Sequence, residues 1–465
     1  MPSQNRKTNF DTSALRAVAP IVLIAMVLAP IAVTGQSHRQ ATHSGEQAGS
    51  ATTGPTTAQG MKCGGGTADS PPCAAPYPML GKGHPVDWWF LFKFNAAAFP
   101  GCGAGASRTC PFGGTVQPFK SFGQQFVYAS SESPSLQQGG GCAGTTTTDP
   151  IGATFDEVYN GSYHYMIWND QFKDDPKIKD CTEECGAPWG HSKGMVAWND
   201  AGEGFVMQVT TPSWPGAGNA KSPRKTDGNT LGCVKDNDVE FSQHFFALKL
   251  SKDDLVKVLT ALANASVVTD PTNPQIVNNG GPPEVQQLVQ SLGVRSKSAT
   301  YSSAQLSSGV QLISKPSDLK VPPWQMVSAI LGGVPLRTAT WWATPEIPST
   351  TASSNITCWS NSLGKPGPVE IATSGAWQGK TFGLTGADGG GSNFNHAKLG
   401  VSTSGTHQYA IFGDMNQQGA IAGNDCGSSQ NGRGGTFYVL DNAQLAQSLT
   451  SLISGSTAPT QAPAK

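Results

Sequence analysis

The chain carries one short layout twice. His191 and Lys193 stand two residues apart at the start of one predicted strand, and His396 and Lys398 do the same at another, 205 residues later. Because residues i and i+2 project from the same face of a strand, each pair directs an imidazole and an ammonium group to one spot. Each pair is followed about 20 residues later by a turn with small polar groups. Two copies of one layout predict two halves packed about an approximate two-fold axis.

Hydrophobic patterning predicts a mixed α/β or α+β fold. The run 86–94 is almost continuously apolar and aromatic, which is typical of a strand covered on both faces. Apolar runs bounded by turn residues predict further strands at 125–129, 163–168, 194–198, 204–209, 339–343, 398–402, 409–413 and 436–440. Apolar residues at helical spacing predict helices at 255–262, 284–292 and 442–452.

Composition divides the chain into six segments. Polar stretches rich in Ser, Thr, Gly, Asn and Pro flank and separate two regions that carry the predicted strands. We expect a signal peptide or anchor at 1–35, a flexible linker at 36–62, a first half at 63–268, a polar connecting segment at 269–316, a second half at 317–453 and a disordered tail at 454–465.

The amino-terminal segment predicts export. Arg6, Lys7 and Arg16 precede an apolar run at 17–33 that ends in small residues, which is the pattern of a signal peptide cleaved near Gln36. An uncleaved membrane anchor is the alternative, although the run is short for a stable span. After cleavage we expect no stable membrane association, and a secreted, periplasmic or lysosome-like destination.

All ten cysteines lie downstream of the export segment. An even number of cysteines in an exported chain predicts several disulfide bonds. Cys102 and Cys110, like Cys181 and Cys185, are close enough in sequence for local loops, but the sequence leaves the connectivity open. A zinc site is the rival interpretation, and the lack of paired Cys-x-x-Cys motifs disfavours it.

The formal net charge of -1 at pH 7 offers no global attraction to a polyanion and disfavours a passive basic coat protein. Protonation of the eight histidines below about pH 6 would move that charge toward +7. An acidic compartment therefore suits a phosphate-binding role.

Several short segments together resemble the deoxyribonuclease II family within the phospholipase D superfamily. They occur in the family's order from about residue 75 to 450 and are Pro85-Val86-Asp87-Trp88-Trp89, Trp168-Asn169-Asp170-Gln171, Gly190-His191-Ser192-Lys193-Gly194, Thr211-Pro212-Ser213-Trp214-Pro215, Gln243-His244-Phe245-Phe246, Asn395-His396-Ala397-Lys398, Gly413-Asp414-Met415-Asn416 and Arg433-Gly434-Gly435-Thr436. The resemblance implies a phospholipase D-like pseudo-dimer with two mixed β-sheets flanked by helices. It also implies metal-independent hydrolysis of DNA to 3'-phosphate and 5'-hydroxyl products.

Two departures from the wider pattern bear on the resemblance. The superfamily places an aspartate five residues after the lysine, where this chain has Trp198 and Thr403, and that difference fits deoxyribonuclease II better than a phospholipase. Ser213 stands where relatives often have asparagine, which weakens the transfer of a substrate-binding role to that position.

The two histidines suit a two-step phosphoryl transfer. Cleavage of a phosphodiester needs an in-line nucleophile, stabilisation of the non-bridging oxygens and a proton for the leaving alkoxide. One neutral histidine attacks to form a phosphohistidine, and the other, protonated, donates to the 5'-oxygen and then deprotonates water. The residues leave open which histidine attacks, and the resemblance favours His191 over His396.

The remaining site residues are expected to bind substrate. Lys193 and Lys398 supply the charge that magnesium supplies elsewhere, so we expect no metal and no cofactor. Asn416 is expected to hold a phosphate oxygen, with Ser213 as its weaker counterpart in the first half. Asp414 is expected to orient a histidine or cap its turn rather than act as a base.

These inferences predict an acid endonuclease with DNA as its substrate. Another phosphodiesterase of the same superfamily, acting on lipid head groups or nucleotides, is an alternative enzyme. A secreted binding protein that kept the fold and lost catalysis is the alternative from another class. A homodimer is compatible with each of them.

Overall fold

A computed structural model describes residues 74–101, 112, 125–144, 146–172, 185–212, 214–223, 240–386 and 391–461. The predicted export segment, the linker and Ser213 lie outside these residues. Within the described ranges, no helix is long and apolar enough to cross a membrane.

The first large sheet follows a two-stranded sheet of β1 (Met79–Gly81) and β2 (His84–Pro85). Its strands are β3 (Trp88–Lys93), β4 (Phe126–Ser130), β5 (Gln137–Gln138), β6 (His164–Asn169), β7 (Lys193–Trp198), β8 (Gly204–Val209), β9 (Gln243–Leu250) and β10 (Val277–Asn278). Over the described residues they lie in the order β10-β6-β7-β8-β9-β3-β4-β5, and each neighbouring pair is antiparallel.

The second large sheet is formed by β11 (Ser302–Gln305), β12 (Gln311–Lys315), β13 (Leu336–Ala339), β14 (Val369–Ile371), β17 (Leu399–Ser402), β18 (Tyr409–Gly413) and β19 (Gly435–Asp441). A separate hairpin joins β15 (Ser374–Trp377) to β16 (Lys380–Gly383). The order in the second sheet is β11-β12-β19-β18-β17-β13-β14, and only its β13–β14 pair is parallel among the described strands.

The helices of the described chain are α1 (Pro150–Tyr159), α2 (Lys252–Asn264), α3 (Pro283–Gln290), α4 (Pro323–Ile330) and α5 (Ala443–Leu452), with short 3-10 segments at Ser317–Leu319, Gly391–Asn393 and Ser429–Gly432. Helix α2 begins at a Ser251 capping box, in which Ser251 and Asp254 satisfy each other's backbone N–H groups. The resulting mixture of antiparallel sheets and flanking helices confirms the predicted α+β class.

The two large sheets repeat one strand order. In the first, β6-β7-β8-β9 lie side by side and the chain continues into α2; in the second, β13-β17-β18-β19 lie side by side and the chain continues into α5. Strand β3 then pairs with β9, and β12 pairs with β19. The next strands outward differ in their order along the sequence: β4 follows β3, whereas β11 precedes β12.

The described residues of both sheets belong to one compact unit and share a hydrophobic core. The ring of Phe412 in the second sheet stacks on Phe90 at 4.5 Å and on Phe246 at 4.7 Å between centroids, both in the first sheet. On another face, α2 buries Leu255 and Leu259. Burying a leucine side chain fully contributes about 1.5–3 kcal/mol to the free energy of folding. Strands that are covered on both faces gain this stabilisation on both sides, which explains the long apolar runs.

Several predicted elements match the structure, and one was wrong. The ranges 204–209 and 409–413 coincide with β8 and β18. The strand predicted at 339–343 is instead β13, which ends at Ala339. Trp341 and Trp342 have high strand propensity, but tertiary contacts override it, because the Trp341 ring packs against His396 and Trp342 donates to the Ile347 carbonyl.

Two expected segment boundaries also need correction. The supposed connecting segment 269–316 contains β10 of the first sheet, α3, and both β11 and β12 of the second sheet. The tail expected to be disordered at 454–465 is ordered over its described part: the N–H of Ala458 donates to Ile371 and that of Gln461 to Ser349. Backbone pairing with a sheet edge orders a segment whose composition alone indicates a linker.

One complete disulfide lies in the described chain, between Cys358 and Cys426. Cys142 and Cys185 are disulfide-bonded as well. The local loops considered at Cys102 and Cys110 and at Cys181 fall outside the described residues.

Candidate active site

Each His-x-Lys pair lies where a central strand begins. Lys193 is the first residue of β7, and Lys398 immediately precedes β17. Gly194 is required beside Lys193, because a Cβ there would lie 2.5 Å from both the Met207 carbonyl oxygen and the Trp168 ring. The close packing of β7 fixes where the first pair projects.

A reciprocal exchange between the halves brings the two pairs together. The backbone N–H of His191 donates to the carbonyl of Gly434, the residue before β19, at 2.8 Å. The N–H of His396 donates to the carbonyl of Ser242, the residue before β9, at 2.7 Å. Each histidine is thus anchored to the other half, as an approximate two-fold axis requires.

The first pair is held by a buried ion network. Asp170, at 0% exposure, accepts from Lys193 Nζ at 2.6 Å and from Arg433 Nη2 at 2.7 Å. Arg433 also donates to the carbonyls of Trp189 and Gly190. One carboxylate therefore positions two cations, one from each half of the chain.

The second pair has aromatic neighbours instead. The half-buried His396 ring stacks on Phe241 at a centroid distance of 4.1 Å and on Trp341 at 5.1 Å. Lys398 Nζ donates to the His396 carbonyl at 2.6 Å. The two halves are similar in backbone and different in the chemistry around each histidine.

The hydrogen bonds at Nδ1 distinguish the two imidazoles. His191 Nδ1 lies 2.9 Å from the backbone carbonyl oxygen of Asp414, which can only accept, so Nδ1 carries the proton and Nε2 keeps its lone pair. His396 Nδ1 lies 3.0 Å from Nε2 of Gln243, an amide donor, so in this state the His396 proton sits on its own Nε2.

Asp414 organises a further buried network. Its carboxylate accepts from the backbone and hydroxyl of Thr436 and from Nε2 of Gln208, each at 2.7–2.9 Å. The other end of Gln208 contacts His244, whose Nδ1 accepts from the backbone N–H of Lys398 at 3.1 Å. Burial raises the pKa of the Asp414 carboxyl to about 6.

Burial and like charge lower the basicity of the site. Burial, followed by the charges of Lys193, Arg433 and Lys398, holds the pKa of His191 well below its ordinary value. The pKa of His396 is lowered by burial and then chiefly by Lys398 and Lys193. Burial and then Lys193 also lower the pKa of Lys398. An incoming phosphate would relieve this repulsion, so the arrangement is suited to an anion.

A comparison with family models decides the assignment. The model for deoxyribonuclease II matches residues 78–458. The chain belongs to the deoxyribonuclease II family. The family identifies it as a hydrolytic nuclease with DNA as its substrate class. No curated protein matches the chain.

In this deoxyribonuclease II family member, the predicted binding residues lie in different surroundings. Asp414 contacts His191 through its backbone carbonyl, whereas the described hydrogen bonds of Asn416 go to Gln418 and Gln430. Ser213 is outside the described residues. Within the described part of the chain, no three His, Cys, Asp or Glu side chains form a group that could hold a metal ion.

Sequence reasoning assigned no role to several residues of the site. Asp170 and Arg433 lie in segments that carried the family resemblance, and a charged residue at the end of an apolar strand was the available signal. His244 has no partner motif in the sequence; it is fully buried, and its Nδ1 accepts from the backbone N–H of Lys398. Gln243 also lies in a segment that carried the family resemblance, but neither it nor Phe241 belongs to a recognisable catalytic pattern.

Proposed function

We propose that this family member is a metal-independent acid endonuclease that leaves 3'-phosphate and 5'-hydroxyl ends. The observation that carries the proposal is the reciprocal anchoring of His191 and His396, which gives one site two histidines in different hydrogen-bonding states. A nucleophile and a proton donor are the two functions that a two-step phosphodiester cleavage needs.

His191 is the proposed nucleophile. Its Nδ1–H is held by the Asp414 carbonyl, and its lowered pKa keeps the ring neutral in mild acid, so the Nε2 lone pair remains available. Attack forms a bond between Nε2 and phosphorus while the bond from phosphorus to the 5'-oxygen breaks. The 5'-side fragment stays on the enzyme through its 3'-phosphoryl group as a phosphohistidine, and the 3'-side fragment leaves with a 5'-hydroxyl.

His396 is the proposed acid and base. It is more exposed than His191, which is 8% accessible, so it takes up a proton more readily. In the first step the imidazolium gives its Nε2 proton to the 5'-oxygen. In the second step the same nitrogen removes a proton from water, which attacks phosphorus, breaks the bond to His191 and releases the 3'-phosphate.

Three cations are proposed to stabilise the non-bridging oxygens. Lys193 and Arg433 are fixed by Asp170, and Lys398 is held by the His396 carbonyl. Fixed charges in a buried site stabilise a developing phosphorane without reorganising. They offer the neutralisation that a metal ion provides in other nucleases, which supports a metal-independent reaction.

The proposed reaction requires acid pH because His396 must carry the proton for the leaving group. A histidine with a lowered pKa is protonated only at correspondingly lower pH, so the fraction carrying the proton for the leaving group rises as pH falls below the ordinary value of 6.5. Turnover should therefore increase toward acid pH until His191 also becomes protonated.

We also propose export to an acidic or extracellular compartment. The expected signal peptide at 1–35 supports it, and the Cys358–Cys426 disulfide is compatible with an extracellular or lysosomal protein.

Plasmid nicking in EDTA at pH 5 and pH 7.5 tests the proposal. Wild type should cut in chelator and faster at pH 5, and His191→Ala and His396→Ala should each lose about 10³-fold or more. His407→Ala is the matched control, because His407 is exposed and paired with Asp441. A strict metal requirement, or full activity in either site variant, would contradict the proposal; hydrolysis of phosphatidylcholine but not DNA would favour the other phosphodiesterase.

A further inference from the structure

A fully buried glutamine links His396 to the core. Gln243 is the first residue of β9 and has 0% exposure. Its Nε2 donates to His396 Nδ1 at 3.0 Å, and its Oε1 accepts from the Thr210 hydroxyl at 2.8 Å. The amide is therefore held at both ends, with one end on an imidazole that must change its protonation state.

The corresponding contact at His191 is of a different kind. A backbone carbonyl faces His191 Nδ1, so that nitrogen keeps its proton throughout. An amide side chain can present either a donor or an acceptor to the same atom, depending on a 180° rotation about its last bond. Gln243 can thus donate to an unprotonated Nδ1 or accept from a protonated Nδ1, whereas a carbonyl can only accept from a protonated Nδ1.

Thr210 allows both orientations of the amide. Its hydroxyl oxygen accepts from the backbone N–H of His244 at 2.9 Å, and its proton can go to Gln243 Oε1 or to the His244 carbonyl, 3.3 Å away. If the amide rotates, Nε2 of Gln243 donates to the Thr210 oxygen and the hydroxyl proton turns to the His244 carbonyl. Every group then still has a partner.

We propose that Gln243 is a positioning residue that follows the proton of His396: it donates to Nδ1 of the neutral ring in the resting site, and accepts from Nδ1–H of the imidazolium and of the neutral ring that remains once Nε2 has given up its proton. The proposal rests on the role proposed for His396. When Nε2 gives its proton to the 5'-oxygen, the amide oxygen retains Nδ1–H, so the ring is left with its lone pair on Nε2. That is the form needed to deprotonate the hydrolytic water in the second step.

The charged groups around His396 explain why the amide of Gln243 restricts activity to acid pH. The groups whose charges act most on this ring are Lys398 beside it, Lys193 of β7, His191 before β7 and Lys93 of β3, and all of them oppose protonation. A carboxylate in place of the amide would retain the proton to higher pH. The neutral glutamine lets the proton be given up readily.

Gln243→Glu and Gln243→Leu form the test pair, with kcat/KM for an oligonucleotide measured from pH 4 to pH 8. The glutamate variant should shift the alkaline limb of the profile upward by about 1 pH unit or more, since a carboxylate beside an imidazole raises its pKa by about 1–3 units. The leucine variant should lose about tenfold or more at the optimum without that upward shift. An unchanged limb in Gln243→Glu, or the same shift in both variants, would overturn the proposal.

The tautomer of His396 in the wild-type chain gives a readout independent of catalysis. ¹⁵N NMR of histidine-labelled protein, assigned with His396→Gln, should show the neutral ring protonated on Nε2 and bare on Nδ1. A neutral ring protonated on Nδ1 would overturn the proposal whether or not the chain cuts DNA. Loss of nuclease activity with the expected tautomer would instead contradict the proposed function alone.

Discussion

At the scale of single residues, Asp170 is the counter-ion on which the first pair depends. Its carboxylate has no exposed surface and binds cations from both halves, Lys193 and Arg433. Removing its charge would leave two buried cations without a counter-ion, and breaking such a pair typically costs about 3–5 kcal/mol.

We therefore expect Asp170→Asn to lower the free energy of unfolding by about 3 kcal/mol or more, measured by urea denaturation. Glu370→Gln is the matched control: Glu370 is 46% exposed and bonds Arg337 at 2.6 Å, so its loss should cost less than about 1 kcal/mol. Equal costs for the two variants would contradict the assignment of Asp170 as a buried counter-ion.

The sequence predicted those site residues that share a local pattern. The two His-x-Lys pairs could be found because an i, i+2 spacing on a strand start has a direct structural meaning. Asp170 lies 263 residues from Arg433. No spacing rule connects positions so far apart, so their contact follows from how the halves pack.

At the scale of elements, α1 depends on the cap at its amino end. Asp149 Oδ1 accepts from the backbone N–H groups of Gly144, Ile151 and Gly152 at 3.0–3.1 Å. Asp149→Ala should lower the free energy of unfolding by about 2 kcal/mol, and Asp149→Asn, which keeps an acceptor oxygen, by less than half of that. Equal losses of unfolding free energy in urea denaturation would show that the acceptor oxygen at the helix cap does not account for the stability that Asp149 contributes.

The same helix should make stability depend on pH. Burial raises the pKa of Glu157 from 4.5 to about 8, and its carboxyl accepts from the Tyr77 N–H. A raised folded-state pKa contributes stability that is fully present below pH 4.5 and lost as pH rises through 8. Glu157→Gln should therefore exceed wild type by about 1 kcal/mol or more at pH 8.5 and approach it near pH 4.5. A gap that is constant with pH would contradict this.

Elements with regular patterns were the ones that the sequence predicted. Strand β18 is an apolar and aromatic run, and β8 is apolar apart from Gln208; the ranges of both were predicted without error. Strand β9 was not predicted, because Gln243, His244 and Lys249 interrupt its apolar pattern. Two of those residues are polar because they belong to the site, so function obscured the structural signal.

At the scale of the whole molecule, the Cys358–Cys426 bond closes a long loop of the second half. The two cysteines are 68 residues apart, and a loop of this length is expected to contribute about 4 kcal/mol. The double variant Cys358→Ala/Cys426→Ala should lose stability of that order in urea denaturation under non-reducing conditions. A loss below about 1 kcal/mol would indicate that the loop is held by its other contacts.

The overall two-fold design could be predicted from the repeated layout, but not how the halves exchange contacts. The segment 269–316 was predicted to be a connector because its strands are short and polar, yet β12 lies inside the second sheet, between β11 and β19. The residues Ser242 and Gly434, which anchor the opposite histidines, have no sequence signal, since they act through backbone carbonyls.

Trapping the covalent intermediate tests the central claim most directly. A DNA oligonucleotide is mixed with wild type at pH 5 in EDTA, quenched within the first turnover into alkaline denaturant, and the adducted peptide is identified by mass spectrometry. We expect a 3'-phosphoryl-nucleotide adduct on His191, absent in His191→Ala. An adduct on His396, or rapid cleavage with no protein adduct at any time, would contradict the account.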